Sequence, residues 1–438
     1  MEPLAAKVGA GTLRGPAWWP GLLMLAALAL AVPAMPLAGG EADPFDNLEP
    51  PPQPPQPAPA QDMNLPKPEA AEPAAGDWTQ RFFRENFTFK KEIMSQVSYG
   101  DEWYSRQSVG GEILKKFSTA TATVAAVNAQ MRLVRRDNPI EVMNDHEGMD
   151  REGWYVEYHN LYLDLYNVLN PVLSDEAKGA HLGRFNVRAG RFYLPMGLNL
   201  QTDTHATVLQ LSNDRNFGFE RDWYTGLWGA LNEYLNYDLY YLAGSGYHFS
   251  TKGQDGLLGV RLSLADSFDV AHGLQGGVAF MGGERLSKAA VARSPSVAAR
   301  ADDGEVVDTL RVGLDGRVRR PVPTGWLTLT AEVTGGHDEA DDVFTQLYQA
   351  EYLHRSRRLG LATQYRRFWQ DIGRGLAPPG QRLPDSADAS VAFDVTWYFR
   401  NDVTGANLHW IRLNVEQQLD RQEGDLDTVV TLQYYRYW

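Results

Sequence analysis

The sequence predicts an all-β protein, a transmembrane antiparallel β-barrel of about sixteen strands behind an export signal and a Pro-rich segment. Three observations predict it. The last twelve residues, Asp427 to Trp438, alternate apolar and polar and finish on an aromatic side chain. Similar period-two patterning recurs from about Phe87 onward. The chain holds 12 Trp and 20 Tyr yet has a mean hydropathy of −0.38. That is too polar for a helical membrane bundle, but it suits a barrel, where only every second residue meets lipid.

In the terminal strand Val430, Leu432 and Tyr434 share one face, and Thr431, Gln433 and Tyr435 the other. The ending resembles the C-terminal assembly signal of bacterial outer-membrane proteins, with Leu432, Tyr434 and Trp438 as its candidate residues. Arg436 departs from that pattern, which favours an apolar residue there. An ordinary edge strand is the plain alternative.

Composition removes several function classes. With no cysteine among 438 residues there is no disulfide, no thiol chemistry, no Cys-ligated metal and no Cys-linked lipid anchor. With a net charge of −14, nothing in the sequence suggests nucleic-acid binding, which needs a basic face.

Taken in order, residues 1–40 read as a signal peptide. Lys7 and Arg14 precede the apolar run Gly21–Val32, and small-residue cleavage candidates follow at Val32–Ala34 and Ala38–Gly40. The run is short for a membrane span, which needs about 20 residues; an uncleaved anchor is the alternative. Residues 41–80 read as a linker, holding eleven of the 25 prolines and eight acids against Lys67. Such composition stays extended and buries no core. It is either a spacer or a periplasmic arm reaching peptidoglycan or a partner.

From residue 81 to 438 the chain reads as the barrel. Clear strands are expected at 123–135, 183–191, 235–243, 309–319, 326–333 and 390–399. In the first, Ala125, Val127, Ala129, Met131 and Leu133 oppose Asn128, Gln130 and Arg132. Links between strands alternate short and long. Short ones include Lys116–Thr121, Asn232–Leu235, Arg320–Gly325, His354–Leu359 and Arg400–Gly405. Long ones include Arg136–Gly153, Leu194–Glu220, Tyr247–Gly256, Leu286–Gly304, Gly336–Asp342 and Asp371–Asp388. Short periplasmic turns and long outer loops are the habit of outer-membrane barrels. Leu194–Glu220 is then the third outer loop.

Two stretches carry a family resemblance. Arg188-Ala-Gly-Arg-Phe-Tyr-Leu-Pro-Met-Gly-Leu198 resembles the arginine–glycine strand exit of the phosphate-selective porin O and P family. Val395-Thr-Trp-Tyr-Phe-Arg-Asn401, with the strand Ala406–Gln418, resembles its penultimate hairpin. The resemblance implies a 16-stranded barrel, commonly trimeric, that passes small solutes. It does not imply phosphate selectivity, because the expected lumen residues form no lysine ladder. They mix Arg132, Arg184, Arg188, Arg261, Arg311, Arg317, Arg366 and Arg412 with Asp164, Asp238, Asp315, Glu332, Asp394 and Glu416.

The expected constriction combines the third loop (Asp203, His205, Asp214, Arg215, Glu220, Arg221) with Arg184 and Arg188 on the facing wall. Opposed charges across a gap would orient polar solutes. Alternatively, Arg184 and Arg188 simply pair with acids of neighbouring strands. Trp154, Tyr155, Trp223, Tyr224, Trp228, Trp397 and Trp438 are expected in the interfacial girdles, with a lumen slide for sugars as the sharper alternative.

No sequence feature calls for a cofactor or metal. There is no Gly-rich phosphate loop, and the nine His form no zinc-type spacing. Gly336–Asp342 holds acids but not at EF-hand spacing. The expected function is a porin for small hydrophilic or anionic solutes, with outer-membrane lipid and the barrel-assembly machinery as partners. The other class is a barrel that sheaths a partner such as a multihaem cytochrome.

Overall fold

The computed structural model describes residues 86–100, 102–118, 123–137, 153–168, 185–198, 209, 212–247, 249–250, 253–265, 268–269, 272–287, 306–339, 341–370, 386–402, 407–419 and 428–438. The expected signal peptide and linker lie outside these. Sixteen strands follow in order: β1 Phe87–Tyr99, β2 Trp103–Ser118, β3 Thr123–Asp137, β4 Gly153–Leu165, β5 Asn186–Tyr193, β6 Arg221–Ala230, β7 Leu235–Leu242 and β8 Gly256–Leu264. The second half comprises β9 Leu274–Leu286, β10 Val306–Val322, β11 Gly325–Asp338, β12 Asp341–His354, β13 Leu359–Gln370, β14 Ser386–Asn401, β15 Leu408–Gln418 and β16 Thr428–Tyr437. One short helix, α1 (Ser212–Phe217), lies between β5 and β6.

Each strand pairs antiparallel with its sequence neighbours, and β1 pairs with β16 to close the barrel. The closing register runs from Glu92↔Tyr437 to Tyr99↔Val430. Trp438 extends it, exchanging backbone bonds of 2.8 and 3.0 Å with Lys91, and Arg436 covers its ring at 4.6 Å. The start of β1 and the end of β16 therefore lie at the same end of the barrel.

The faces are inverted relative to a water-soluble fold. Leu432, Val395, Phe393, Met131 and Leu133 are exposed, whereas Thr431, Gln433, Asn414, Arg132 and Arg311 are buried. In water this exterior would be unstable, since exposed apolar area costs about 25 cal/mol per Å². In lipid it costs nothing, and the polar residues face inward. The alternation expected for residues 123–135, 235–243, 309–319, 326–333 and 390–399 falls on these two faces as read.

Three connections differ from expectation. Gly336–Asp342 is a tight β11–β12 hairpin, with Asp338 paired to Asp341; Asp338 is taken up by Arg285 and Arg311, and Glu339 in the turn accepts from Asp308 N at 2.8 Å. The β1–β2 link at the same end is also short, while the β4–β5 link at the opposite end is long. The strict alternation of short and long links is therefore broken at three places.

The β4–β5 seam is the shortest, pairing only Leu161–Leu165 with Val187–Arg191. The upper half of β4 is left without a strand on that side. Side chains substitute: Tyr247 accepts from Tyr158 N at 2.9 Å and donates to Val156 O at 2.6 Å, and Arg191 donates to the carbonyls of Tyr158 and His159. Unpaired backbone groups in a membrane cost several kcal/mol each, so the patch is required.

The facing assignment can be tested on β16. Leu432→Arg places a charge on the lipid side near mid-strand and is expected to cost about 2–4 kcal/mol in urea unfolding from phospholipid bilayers. Gln433→Arg, on the inner face, is expected to cost clearly less.

Candidate functional site

The lumen is the candidate site, and a loop narrows it. After β5 the chain does not continue outward. Leu194 to Leu198 turn into the barrel, where Met196 packs beside Gly313 of β10 and Leu198 N donates to Glu332 of β11 at 3.1 Å. Gly197 has a φ of 74° and passes so close to the Glu332 carboxylate that a Cβ would collide with it. Helix α1 follows. Its Asn216 side chain accepts from Thr345 of β12 at 2.6 Å.

The loop is held by an apolar cluster and by a latch. Leu194, Met196, Phe217 and Phe219 pack on Tyr224, Tyr240, Leu242, Leu257, Ala279 and Met281, the inward side chains of β6–β9. Where the loop covers them, these strands are therefore apolar on the inner face as well as the outer. In the latch, Asp338 of β11 binds Arg285 at 2.9 Å and Arg311 at 2.8 Å. Both guanidiniums also donate to the end of α1, Arg285 to Phe217 O at 3.1 Å and Arg311 to Asn216 O at 3.2 Å. Helix carbonyls carry partial negative charge, so cations suit this end.

The remaining lumen wall is lined by compensated charges with a repeated geometry. Arg132 of β3 reaches across β2 to Glu92 of β1, its second bond 2.7 Å long. Arg261 of β8 reaches across β9 to Asp315 of β10 at 2.5 and 2.7 Å. Arg366 of β13 reaches across β14 to Glu416 of β15 at 2.5 Å. Each guanidinium passes over a small residue on the intervening strand. Gly110 lies opposite both Glu92 and Arg132, Gly277 lies opposite Asp315, and Ser390 lies opposite Arg366. A Cβ on Gly110 would meet Arg132 Cγ at 2.6 Å, and one on Gly277 would meet Arg261 Nη2 at 2.8 Å. Arg412–Asp394 and Arg188–Asp164 pair between adjacent strands, at 3.1 and 2.6 Å. A buried ion pair survives desolvation only with such close, multiple bonds.

The expected constriction residues are distributed as follows. Arg184, Asp203 and His205 lie outside the described residues, as do the side chains of Asp214 and Arg215 on α1. Arg188 lines the wall, chelated by Asp164 and stacked on Phe192 (3.7 Å), Tyr162 (4.7 Å) and Trp228 (5.1 Å). Its charge is met within the wall, which is the pairing alternative. Glu220 and Arg221 are buried at the foot of the loop, with Arg221 bonded to Glu220, Tyr193 and His159. Arg311 is fully buried in the latch. Arg366 is tied to Glu416. Arg317 differs, for it donates to Thr330 and Gln275, both uncharged, at 3.2 Å.

The aromatics divide. Trp154 and Trp397 are 61% and 50% exposed on the outer face, as girdle residues would be. Tyr155 and Tyr224 are buried, and Trp228 flanks Arg188 inside. These three belong to the lumen wall, because the side of the sheet they occupy is set by register and not by residue type. Sequence reading also missed Arg285 and Asp338. Their signal was an acid at the end of a Gly-rich strand, which looks like a loop.

Fold and lumen together define a membrane-spanning β-barrel whose interior is polar, charge-compensated and narrowed by an inward segment. No family model matches the chain, and no curated protein matches it. Among solved structures it is similar to a loop L8 deletion form of OmpT, an outer membrane protein of Vibrio cholerae, with TM-score 0.46 and 9% identity over 80% of this chain and 99% of that one. It is also similar to Salmonella typhi OmpF in complex with daunomycin, at TM-score 0.47 and 12% identity over 80% and 97%. A third is an anion-selective porin from Comamonas acidovorans, at TM-score 0.47 and 9% identity over 80% and 98%.

Two substitutions test the wall and the latch. Asp338→Asn leaves two buried guanidiniums without a counter-charge and is expected to destabilise the barrel by about 3–5 kcal/mol. Limited proteolysis within 194–220 should accelerate in the same variant. Gly277→Val crowds the path of Arg261 and is expected to cost about 1–3 kcal/mol by equilibrium unfolding, whereas Gly335→Ala, on the outer face with room for a Cβ, should cost little.

Proposed function

We propose that the chain is an outer-membrane porin through which small hydrophilic solutes diffuse passively. The observation that carries this reading is the polar, ion-paired lumen partly closed by the Leu194–Glu220 segment. A sixteen-stranded barrel leaves an aqueous channel, and an inward loop sets its size limit. The described parts of the loop pack inside the barrel against β6–β9 and reach β11 and β12, space that a sheathed cytochrome would need, so diffusion is favoured over the scaffold reading.

Selectivity follows from which charges remain unbalanced. Most wall arginines are neutralised by bonded acids, which supports a general channel over the phosphate-selective kind. Arg317, bonded only to neutral groups, adds a modest preference for anions. Of the constriction candidates, Arg188, Arg317 and Arg366 act on the wall, and Glu220, Arg221 and Arg311 hold the loop. Arg184, Asp203, Asp214 and Arg215 complete the eyelet in this proposal. The chain assembles as a homotrimer, delivered by the barrel-assembly machinery through the ending that holds Leu432, Tyr434 and Trp438.

Planar-bilayer recording of the refolded protein across a salt gradient tests the reading. Discrete conductance steps with a modest anion preference are expected. Arg317→Glu should move the reversal potential toward cations, and by more than Arg188→Gln, which leaves Asp164 behind but acts at an already compensated pair. A folded barrel with no conductance would overturn the proposal.

A further inference from the structure

Most charged stations of the wall pair an arginine with an acid. Arg188 stands directly across the β4–β5 ladder from Asp164 and is bonded to it at 2.6 and 2.8 Å. Arg132, Arg261, Arg366 and Arg412 also end on carboxylates. One station departs from this. Arg317 stands directly across the β9–β10 ladder from Gln275, an amide. Its Nη1 donates to Gln275 Oε1 and its Nε to Thr330 Oγ1, both at 3.2 Å. Its Nη2 has no bonded partner among the described residues.

Gln275 is fixed in that role from its other side. Its Nε2 donates at 2.9 Å to Asp269, in the β8–β9 link. A guanidinium only donates and an ionised carboxylate only accepts. An amide between them therefore has one satisfying orientation, with its carbonyl toward Arg317 and its amino group toward Asp269. The acid is held one side chain away from the cation instead of on it. Neighbouring charges are engaged elsewhere. Asp315, two residues along β10, takes two bonds from Arg261. Glu332, two residues along β11 from Thr330, accepts from Leu198 N. Arg319 and Glu351 belong to a different row of the ladder, both standing opposite Thr328.

We propose that Gln275 sets the charge preference of this lumen. An amide occupies a station where the wall uses acids for its other arginines, and Asp269 holds it there, so Arg317 keeps its charge toward passing solute. The proposal rests on the porin reading and deepens it, by naming the residue that leaves Arg317 uncancelled. The favoured solutes are small anions, drawn to the unbonded Nη2. Glutamate has nearly the shape of glutamine, so a single exchange of amide for carboxylate separates an attracting wall from a neutral one.

The exchange Gln275→Glu/Asp269→Asn moves one negative charge from the link to the wall and leaves the net charge unchanged. In planar-bilayer recordings across a salt gradient, this swap is expected to shift the reversal potential toward cations, by about as much as Arg317→Gln does. Asp269→Asn alone is expected to shift it the other way. A swap that keeps the wild-type reversal potential overturns the proposal, because total charge would then govern. A second arm does not need the barrel to conduct. In urea unfolding from phospholipid bilayers, the swap is expected to alter the folding equilibrium about tenfold more favourably with Arg317 present than in the Arg317→Gln background, the scale of a hydrogen bond to a charged group. Equal effects in the two backgrounds overturn the proposal as well. A wild-type barrel that does not conduct, with this coupling intact, fails the porin reading and not the assignment of Gln275 to an acid station.

Discussion

The seam between β1 and β16 is the constraint on which the rest depends. Lipid supplies no hydrogen bonds, so a sheet that enters it must have no edge. Sixteen strands meet that demand only because Glu92–Tyr99 find Val430–Tyr437 in register and Trp438 completes the ladder against Lys91. Where one seam falls short, at β4–β5, side chains from Arg191 and Tyr247 take over the backbone groups that no strand reaches. The same demand explains why Trp438 exchanges backbone bonds with Lys91.

Closure turns the polar face inward and creates a second problem, which is how to keep many charges close together in a narrow space. The solution is local neutrality over a three-strand span. An arginine crosses a strand that offers glycine, serine or threonine at the crossing point, and meets an acid beyond it. The small residues are therefore part of the electrostatics. The latch at Asp338 uses the same stride, with Arg285 passing Thr309, and adds the loop helix as a further acceptor. The wall and the constriction are thus held by one type of interaction.

Much of this was legible in the sequence. The alternation of Ala125–Leu133, Leu310–Leu314 and Val391–Trp397 gives both the strand and the face, since a period of two leaves only two choices. What could not be read depends on register between strands distant in sequence. Gly110 and Gly277 look like weak points in a strand until Arg132 and Arg261 are seen to pass over them. Tyr155, Tyr224 and Trp228 look like girdle residues because aromatics sit on both faces there. One signal was present and unread. The stretches Gly256–Val260 and Val278–Met281 are apolar without alternation, which in a barrel means that something packs inside. Here it is the loop.

That one-sided packing has a geometric consequence. Because the described parts of the loop pack on β6–β9 and reach across to β10, β11 and β12, they narrow the lumen from that side. Its bore is set by how far a loop intrudes and not by how many staves enclose it. Strand number therefore fixes the circumference of this protein while leaving its calibre to a few residues between Leu194 and Glu220. Calibre could then drift in evolution, by changes in that short segment alone, without disturbing a single rung of the wall.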